Sequence, residues 1–437
     1  MSPTTRETRA SRNRRLAITE AVRRNLVNEE QPVVGLLDLD GVTDTARELQ
    51  EAFTFPGVSV LHTFAVKAAS LVPVLQHLSR AGIGAEVASP GELAIARAAG
   101  VPASHTVLDS PAKTRAELTE ALSAGIAINA DNPEELARID LLMDRAATAS
   151  PIGIRINPQV GAGSIGAMST ATATSKFGIG LRDEGAEDWI VDAYTRRPWL
   201  NRLHTHTGSQ GVPLDLMAQG VAAVHALAER INRAVGRRQV TVLDIGGGLP
   251  VNFASDEVRP TFGDYARTLR NTVPALFDGN YGIVTEFGRS IAAKHGLVLA
   301  RVEYAKSTGG RAIAVTHAGA QVATRTVFAP DAWPLRVEAL NASGALKDGP
   351  LVPQDVAGPC CFAGDLIAHE RPLPLLKQGD LVALLDTGAY YFSTHFAYNS
   401  LPRPSVHGYT TNSDGSLHFT TLRKAQTIKE LIVESGG

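Results

Sequence analysis

The chain of 437 residues is short of several things, and each shortage excludes something. It has two cysteines, Cys360 and Cys361, and they are adjacent. Neighbouring cysteines seldom pair with each other, so no disulfide framework is expected and a reducing cytoplasm fits. Charge of one sign is not in excess: the formal net charge is −2, which argues against nucleic acid or another polyanion as the main partner. No apolar run approaches the roughly 18–20 residues of a membrane span, so no membrane partner is expected. The Arg-rich start, "MSPTTRETRASRNRRLAITEAVRRN", lacks the apolar core of a signal peptide, and Glu7 and Glu20 interrupt the basic run. It reads as a polar start leading into a short helix. The dinucleotide fingerprint is also missing, because "GGGLPV" has a proline where a helix should begin.

What is present is a repeated theme. Between residues 58 and 288 a short β-rich run is followed by a helical pattern and a Gly-containing break. The runs are "VSVLHTFAV", "IGAEVAS", "HTVLDS", "IAINADN", "IGIRINP", "LNRLHTH", "VTVLDIG" and "YGIVTEFG". Stretches such as "PGELAIARAAG" and "TRAELTEALSAG" carry apolar residues at helical spacing and stop at glycine. Alternating strand and helix predicts a parallel sheet with helices outside it, and eight units predict a (β/α)8 TIM-like barrel. After about residue 295 the pattern changes to strands with turn signals and little helix: "GLVLARVEYAKS", "RAIAVTHAGA", "GDLVALLDTGAYYF" and "GSLHFTTLRKA". The expected class is α/β, a barrel plus a C-terminal β domain. The expected division is 1–43, a helix and a strand ("PVVGLLDLD") that join the β domain; 44–295, the barrel; and 296–437, the β domain.

In such barrels chemistry sits at the C-terminal ends of the strands. Read that way, Lys67, Glu86 with Ser89, Arg155 with Asn157, His204 with His206, the triplet Gly246, Gly247 and Gly248, and Glu286 with Arg289 converge on one mouth. The triple glycine of "VLDIGGGLP" is either a tight turn or an anion cradle in which three backbone N–H groups point at one phosphate. Its place after the seventh strand, a recurrent phosphate position, turns that choice toward a phosphorylated ligand. The apolar lead-in "FAVKA" is expected to desolvate the Lys67 amine. His206 alone is equally a core histidine, and "HTH" is a weak metal signal without a carboxylate cluster, so no metal is expected.

The set of motifs "FAVKA", "GAEVASPGELAIARAAG", "IRINP", "SKFGI", "HTGSQ", "LDIGGGLP", "EFGRS", "GPCCFAGDLIA", "GDLVALLDTGAYYF" and "YNSLPRP" resembles the fold-type III pyridoxal-phosphate decarboxylases, the group that contains diaminopimelate and ornithine decarboxylases. The resemblance spans nearly the whole chain after residue 30. It implies pyridoxal 5'-phosphate as cofactor, with Lys67 as the lysine that bonds to it. Glu286 would pair with the pyridine nitrogen, His206 would lie on the ring face, and Glu86 would stand near the cofactor. Ser209, Gly246, Gly247, Gly248, Arg289 and Tyr390 would surround the phosphate. Cys361 matches the proton donor that this family supplies from the partner subunit, which implies a homodimer with active sites at the interface. An acidic partner for the ring nitrogen favours decarboxylation over racemisation.

Three departures bear on the substrate. The family's "EPGR" is "EFGR", with Phe287 for proline, which alters a backbone bend. The residue after the cysteine, usually an acid that grips a distal amino group, is Phe362. A buried aromatic ring does not compensate the desolvation of an ammonium, so poor activity on ornithine, lysine and diaminopimelate is expected. Third, "QVATRTVFAP" stands where diaminopimelate decarboxylases read "RPxxY"; Arg325 is kept, to bind a distal carboxylate or to lie on the surface, while Thr326 and Ala329 replace the other two. With Tyr390, Arg325 and Phe362 are the expected substrate-side residues. The alternatives are a racemase or epimerase working between Cys361 and Lys67, and a non-catalytic homologue that acts by binding.

Overall fold

The computed structural model describes residues 9–145 and 147–437, and the first eight residues of the Arg-rich start lie outside it. Two compact units divide the chain. One comprises residues 43–251 and 258–291, the other residues 1–42, 252–257 and 292–437.

The first unit is a closed barrel of eight parallel strands. In chain order they are Val60–Ala65, Gly84–Val87, Thr106–Leu108, Ala127–Ala130, Ile152–Asn157, Leu200–His204, Val242–Asp244 and Gly282–Phe287. Each pairs with the next, and the first closes on the eighth. All eight expected runs are therefore strands, and nearly every barrel residue in them is buried, as a parallel sheet covered on its outer face requires. The helices start and stop where local chemistry directs. Ser89 caps Pro90–Ala98 by accepting from the Glu92 N–H. Thr114 and Glu117 form a reciprocal capping box on Arg115–Ala124, and Gly125 ends that helix in the left-handed conformation, φ 74°.

Register decides which side chains stand side by side. Arg155 of strand five lies opposite His204 of strand six, and His204 lies opposite Asp244 of strand seven. On the other side Ala65 of strand one pairs with Glu86 of strand two. Phe287, in place of the family's proline, is fully buried at the end of strand eight. Its ring packs at 5.1 Å from Phe262, 6.1 Å from Tyr265 and 6.4 Å from Phe53. The substitution is thus a core packing choice, with an aromatic cluster where a bend was expected.

The second unit is built on a nine-stranded mixed sheet. Its early strand, Val33–Asp38, runs antiparallel to Gly296–Thr308 and parallel to Ser405–Thr411. Ile18, Leu36, Leu297, Leu299, Leu340, Leu385 and Tyr409 form its core. The stretch "QVATRTVFAP", which the β-rich pattern leaves without a helix, lies in a helix over Ala320–Phe328, kinked at Ala323. No helix among the described residues is long and apolar enough to cross a membrane.

Segment 252–257 is tied into this second unit by charge. Asp256 accepts from Arg14 at 3.0 Å and from Arg336 at 2.6 Å, while Arg336 also makes a two-pronged contact with buried Asp386. Partial burial alone would raise the Asp256 carboxyl, but the two guanidinium hydrogen bonds hold it at about 2. Since the folded value lies below the unfolded one of about 3.9, the contribution is complete above roughly pH 4 and disappears as pH falls toward 2. Asp256→Asn is expected to cost about 1–2 kcal/mol at neutral pH and to flatten the loss of stability between pH 4 and 2, read by denaturant melting across that range.

Candidate active site

The strand ends bring most of the expected residues together. Lys67 lies just beyond strand one, in a single 3-10 turn over Val66–Ala68. Its ammonium is close to half exposed and donates to both oxygens of Glu86, at 2.7 and 2.5 Å. This corrects the expectation that "FAVKA" desolvates the amine. The apolar residues of the lead-in are buried, and the lysine, leaving the strand at the turn, reaches a carboxylate instead. Glu86 itself is buried. Burial raises its carboxyl, and Lys67 opposes the rise.

Glu286 is the penultimate residue of strand eight, 5 % exposed. Burial, followed by repulsion from Glu86 and Asp109, pushes its carboxyl well above the ordinary range, while Lys67 and Arg155 oppose the rise. Its Oε1 is buried with no hydrogen-bond partner among the described residues. His206 accepts the Gly247 N–H on Nδ1 at 3.1 Å, which fixes its proton on Nε2, and burial keeps the imidazole uncharged.

The triple glycine answers to backbone crowding. Gly246 and Gly248 have φ of +67° and +90°, where only glycine is free of strain. A Cβ on Gly247 would lie 2.1 Å from the Glu286 carbonyl oxygen, and one on Gly248 would lie 1.7 Å from that of Gly208. Two of the three N–H groups are used within the chain, Gly246 toward Asp244 at 3.2 Å and Gly247 toward His206. The three glycines thus form a loop pressed against strand eight and the 204–208 segment. Arg289 follows the loop's partner strand and is buried, and Ser209 is half-buried with its N–H on the Met168 carbonyl.

Sequence reasoning left out of the site a buried network behind these groups. Asp109, one residue past strand three, receives Arg155 at 2.8 Å. It also lies 3.6 Å from His204 Nδ1, while His204 Nε2 is 3.4 Å from Glu286. Asp244 receives Arg202 at 2.7 Å. The signal was available: Asp109 closes the run "HTVLDS" as Glu286 closes its own. Asp109, His204 and Glu286 offer three metal-ligating atoms within 4.8 Å of one another. The two carboxylates, however, contact opposite ring nitrogens of His204, the geometry of a relay.

In the second unit, Cys361 is exposed and its N–H donates to Asn399 at 2.8 Å, whereas Cys360 is buried against Gln321. Burial, with Asp365 nearby, pushes the Cys360 thiol to about 11. Arg325 lies between two rings, 4.2 Å from Tyr390 and 4.9 Å from Trp333, with its Nη1 buried and lacking a hydrogen-bond partner among the described residues. Tyr390 holds φ +74°. Phe362 stacks on Phe328 at 5.5 Å and meets Tyr398 edge-on at 5.6 Å, and Phe396 completes the cluster.

A closed barrel with polar groups at its strand ends, together with a second, β-rich unit that takes in the first strand of the chain, defines the fold-type III class. The comparisons with known proteins agree. Residues 39–293 match the family model described as "Pyridoxal-dependent decarboxylase, pyridoxal binding domain". The chain is 33% identical over 385 residues to a diaminopimelate decarboxylase of Pseudomonas aeruginosa, covering 86% of each. It is 30% identical over 374 residues to that of Haemophilus influenzae, covering 84% of this chain and 85% of the other. A crystal structure of diaminopimelate decarboxylase from Helicobacter pylori complexed with L-lysine superposes with TM-score 0.82 at 25% identity, covering 96% of this chain and 100% of that one.

This chain belongs to the pyridoxal-dependent decarboxylase family. It is a pyridoxal-phosphate-dependent carboxy-lyase that acts on an amino acid. The residues present fit that cofactor: an accessible amine, a buried carboxyl oxygen without a partner and a glycine loop. Gly247→Ala is expected to displace the Glu286 strand end and weaken cofactor binding about tenfold or more, measured by absorbance titration of the cofactor-free protein.

Proposed function

We propose that the enzyme removes CO2 from the Cα of an amino acid whose side chain carries no distal ammonium, with an acidic, apolar or aromatic end instead. The observation that supports this most is Phe362, set in a cluster of four aromatic rings where the family usually offers a carboxylate. An ammonium brought there loses water without gaining an anion. Arg325 favours the acidic member of this group. Its guanidinium is immobilised between two rings, so little conformational entropy is lost when a carboxylate binds it.

The roles follow from the side chains. Lys67 supplies the amine that bonds to the cofactor, and Glu86 orients it. Neutral His206 covers the ring face. Glu286 would pair with the pyridine nitrogen, and Ser209, Gly246, Gly247, Gly248, Arg289 and Tyr390 would hold the phosphate. When bound, pyridoxal phosphate takes up the electron pair left as CO2 departs. Cys361 then delivers a proton to Cα from the partner subunit of a homodimer whose active sites lie at the interface. Cys360 takes no part, since its thiol is buried within its own unit. The reaction takes place in the cytoplasm, where two unpaired thiols persist.

Diaminopimelate is the second reading. The relatives carry that name, and the retained Arg325 suits its distal carboxylate, but the distal ammonium would face Phe362.

Two measurements test this. Borohydride reduction with the cofactor should fix a pyridoxyl group on Lys67 by peptide mass, with none on the Lys67→Ala protein. In a CO2-release panel, ornithine, lysine and diaminopimelate should fall about 100-fold or more in kcat/KM below the best acidic, apolar or aromatic amino acid, and Phe362→Asp should raise the diamine rates about tenfold. Diamine rates above all others would overturn the substrate assignment. Loss of optical rotation without CO2 would replace it with racemisation.

A further inference from the structure

The groups that touch the cofactor do not account for Asp109. It is buried, 6 % exposed, at the closed heart of the barrel mouth. It holds Arg155 through Oδ2 and faces His204 through Oδ1, and the other side of the His204 ring faces Glu286 Oε2. His204 has no exposure at all. Its two ring nitrogens, Asp109 Oδ1 and Glu286 Oε1 all lack a completed hydrogen bond at their present separations. A fully enclosed imidazole between two buried carboxyls is costly unless protons are shared along the line.

We propose that Asp109 is a positioning residue which, through His204, sets the protonation and orientation of Glu286. The inference rests on the reading of Glu286 as the partner of the ring nitrogen. Arg155 holds Asp109 as an anion. Asp109 therefore accepts the His204 Nδ1–H, which leaves Nε2 as the acceptor aimed at Glu286. The Glu286 proton sits on Oε2, directed at Nε2, and Oε1 is left free for the ring nitrogen. When a protonated ring nitrogen arrives, that proton passes from Oε2 to Nε2: one O–H bond breaks, one N–H bond forms, and the imidazolium is balanced by Asp109. Glu286 becomes the carboxylate that the ring requires without any exchange with solvent.

Burial works against charge on the His204 ring, while Asp109 and Asp244 favour it and Arg155 and Arg202 oppose it; Glu86 raises the Glu286 carboxyl and Lys67 lowers it. Lys113, held by Glu135 at 2.9 Å, adds to the positive potential on Asp109. Asp244 and Arg202 flank His204 from strands seven and six as a pair of their own. Burial works against charge on Asp109, but Arg155, His204 and Lys113 together bring its carboxyl below the ordinary range, while the carboxyl of Glu286 stays well above it.

The decisive variant is Asp109→Asn, which is isosteric. Arg155 will claim the amide oxygen, so the amide N–H2 turns to His204 Nδ1 and drives the ring proton to Nε2, as happens when the aspartate of a Ser-His-Asp triad is made asparagine. Two readouts apply to the full-length protein. The first is the tautomer of His204 by 15N NMR of histidine-labelled, cofactor-free protein, assigned with His204→Gln among the twelve histidines. The second is cofactor affinity by absorbance titration. The expected result is an Nδ1–H ring in the wild type, an Nε2–H ring in Asp109→Asn, and affinity about tenfold weaker in the variant.

Glu286→Gln is the control for the underlying reading. If it binds the cofactor as the wild type does, Glu286 is not the ring partner, and both ideas fall. If it weakens binding while Asp109→Asn stays within about twofold of the wild type, only the relay falls. Should Asp109→Asn not fold, the wild-type tautomer still decides, because a proton on Nε2 in the parent protein overturns the relay outright.

Discussion

Four carboxyls, Glu86, Asp109, Asp244 and Glu286, are buried at one end of a single barrel, and the site depends on how their charge is disposed of. Two bare carboxylates 4 Å apart repel by about 4 kcal/mol even at an effective dielectric of 20. Three of the four have a cation within hydrogen-bond distance: Lys67 on Glu86, Arg155 on Asp109 and Arg202 on Asp244. Glu286 is left with His204. Burial, and repulsion from Glu86 and Asp109, raise its carboxyl, with no cation at hydrogen-bond distance among the described residues to offset them. The same shortage makes it the group best prepared to meet a positively charged ring nitrogen, which would supply the missing fourth cation.

The triple glycine serves this arrangement through shape. The Glu286 N–H donates to the Gly246 carbonyl, and the Gly247 backbone lies so close to the Glu286 carbonyl that no Cβ fits. The Gly247 N–H in turn fixes the His206 ring. One loop therefore sets both the carboxyl at the end of strand eight and the imidazole beyond strand six. A side chain at any of the three positions would separate elements that the cofactor needs at fixed spacing. The sequence motif reads as a phosphate cradle because such loops often are; here it is also the spacer between two side chains.

Much of this was legible before the coordinates. Eight β-rich runs separated by capped, glycine-stopped helices are a local signal, since capping boxes and left-handed glycines act over three or four residues. The rule that polar residues at strand ends face the mouth selects Lys67, Glu86, His206 and Glu286 as candidates. The rule was applied to only some strands, and Asp109 was passed over because a three-residue strand, Thr106–Leu108, gives too little alternation to say which way its last side chain points. The ion pair of Lys67 with Glu86 was hidden for another reason: a 3-10 turn after strand one reverses the lysine away from the apolar run that precedes it. The helix over Ala320–Phe328 was not visible because Val322, Thr324, Thr326 and Val327 favour strands, and it is held from outside, by Asp365 accepting the Ala320 N–H.

Asp365 also settles which of two adjacent cysteines is available. Its carboxylate accepts from the N–H groups of both Ala320 and Cys360, and the glycines at 319 and 358 leave no room for a Cβ beside it. That pins Cys360 inward, against Gln321, with a thiol that burial keeps protonated. Cys361, one residue on, faces solvent and is held only through its backbone by Asn399 and by Tyr398, whose hydroxyl donates to its carbonyl at 3.4 Å. Tyr398 belongs to the aromatic cluster of Phe362, so the exposed thiol and that apolar cluster are parts of one loop assembly. A change that opens the cluster therefore also disturbs the backbone that holds Cys361, because Tyr398 touches both.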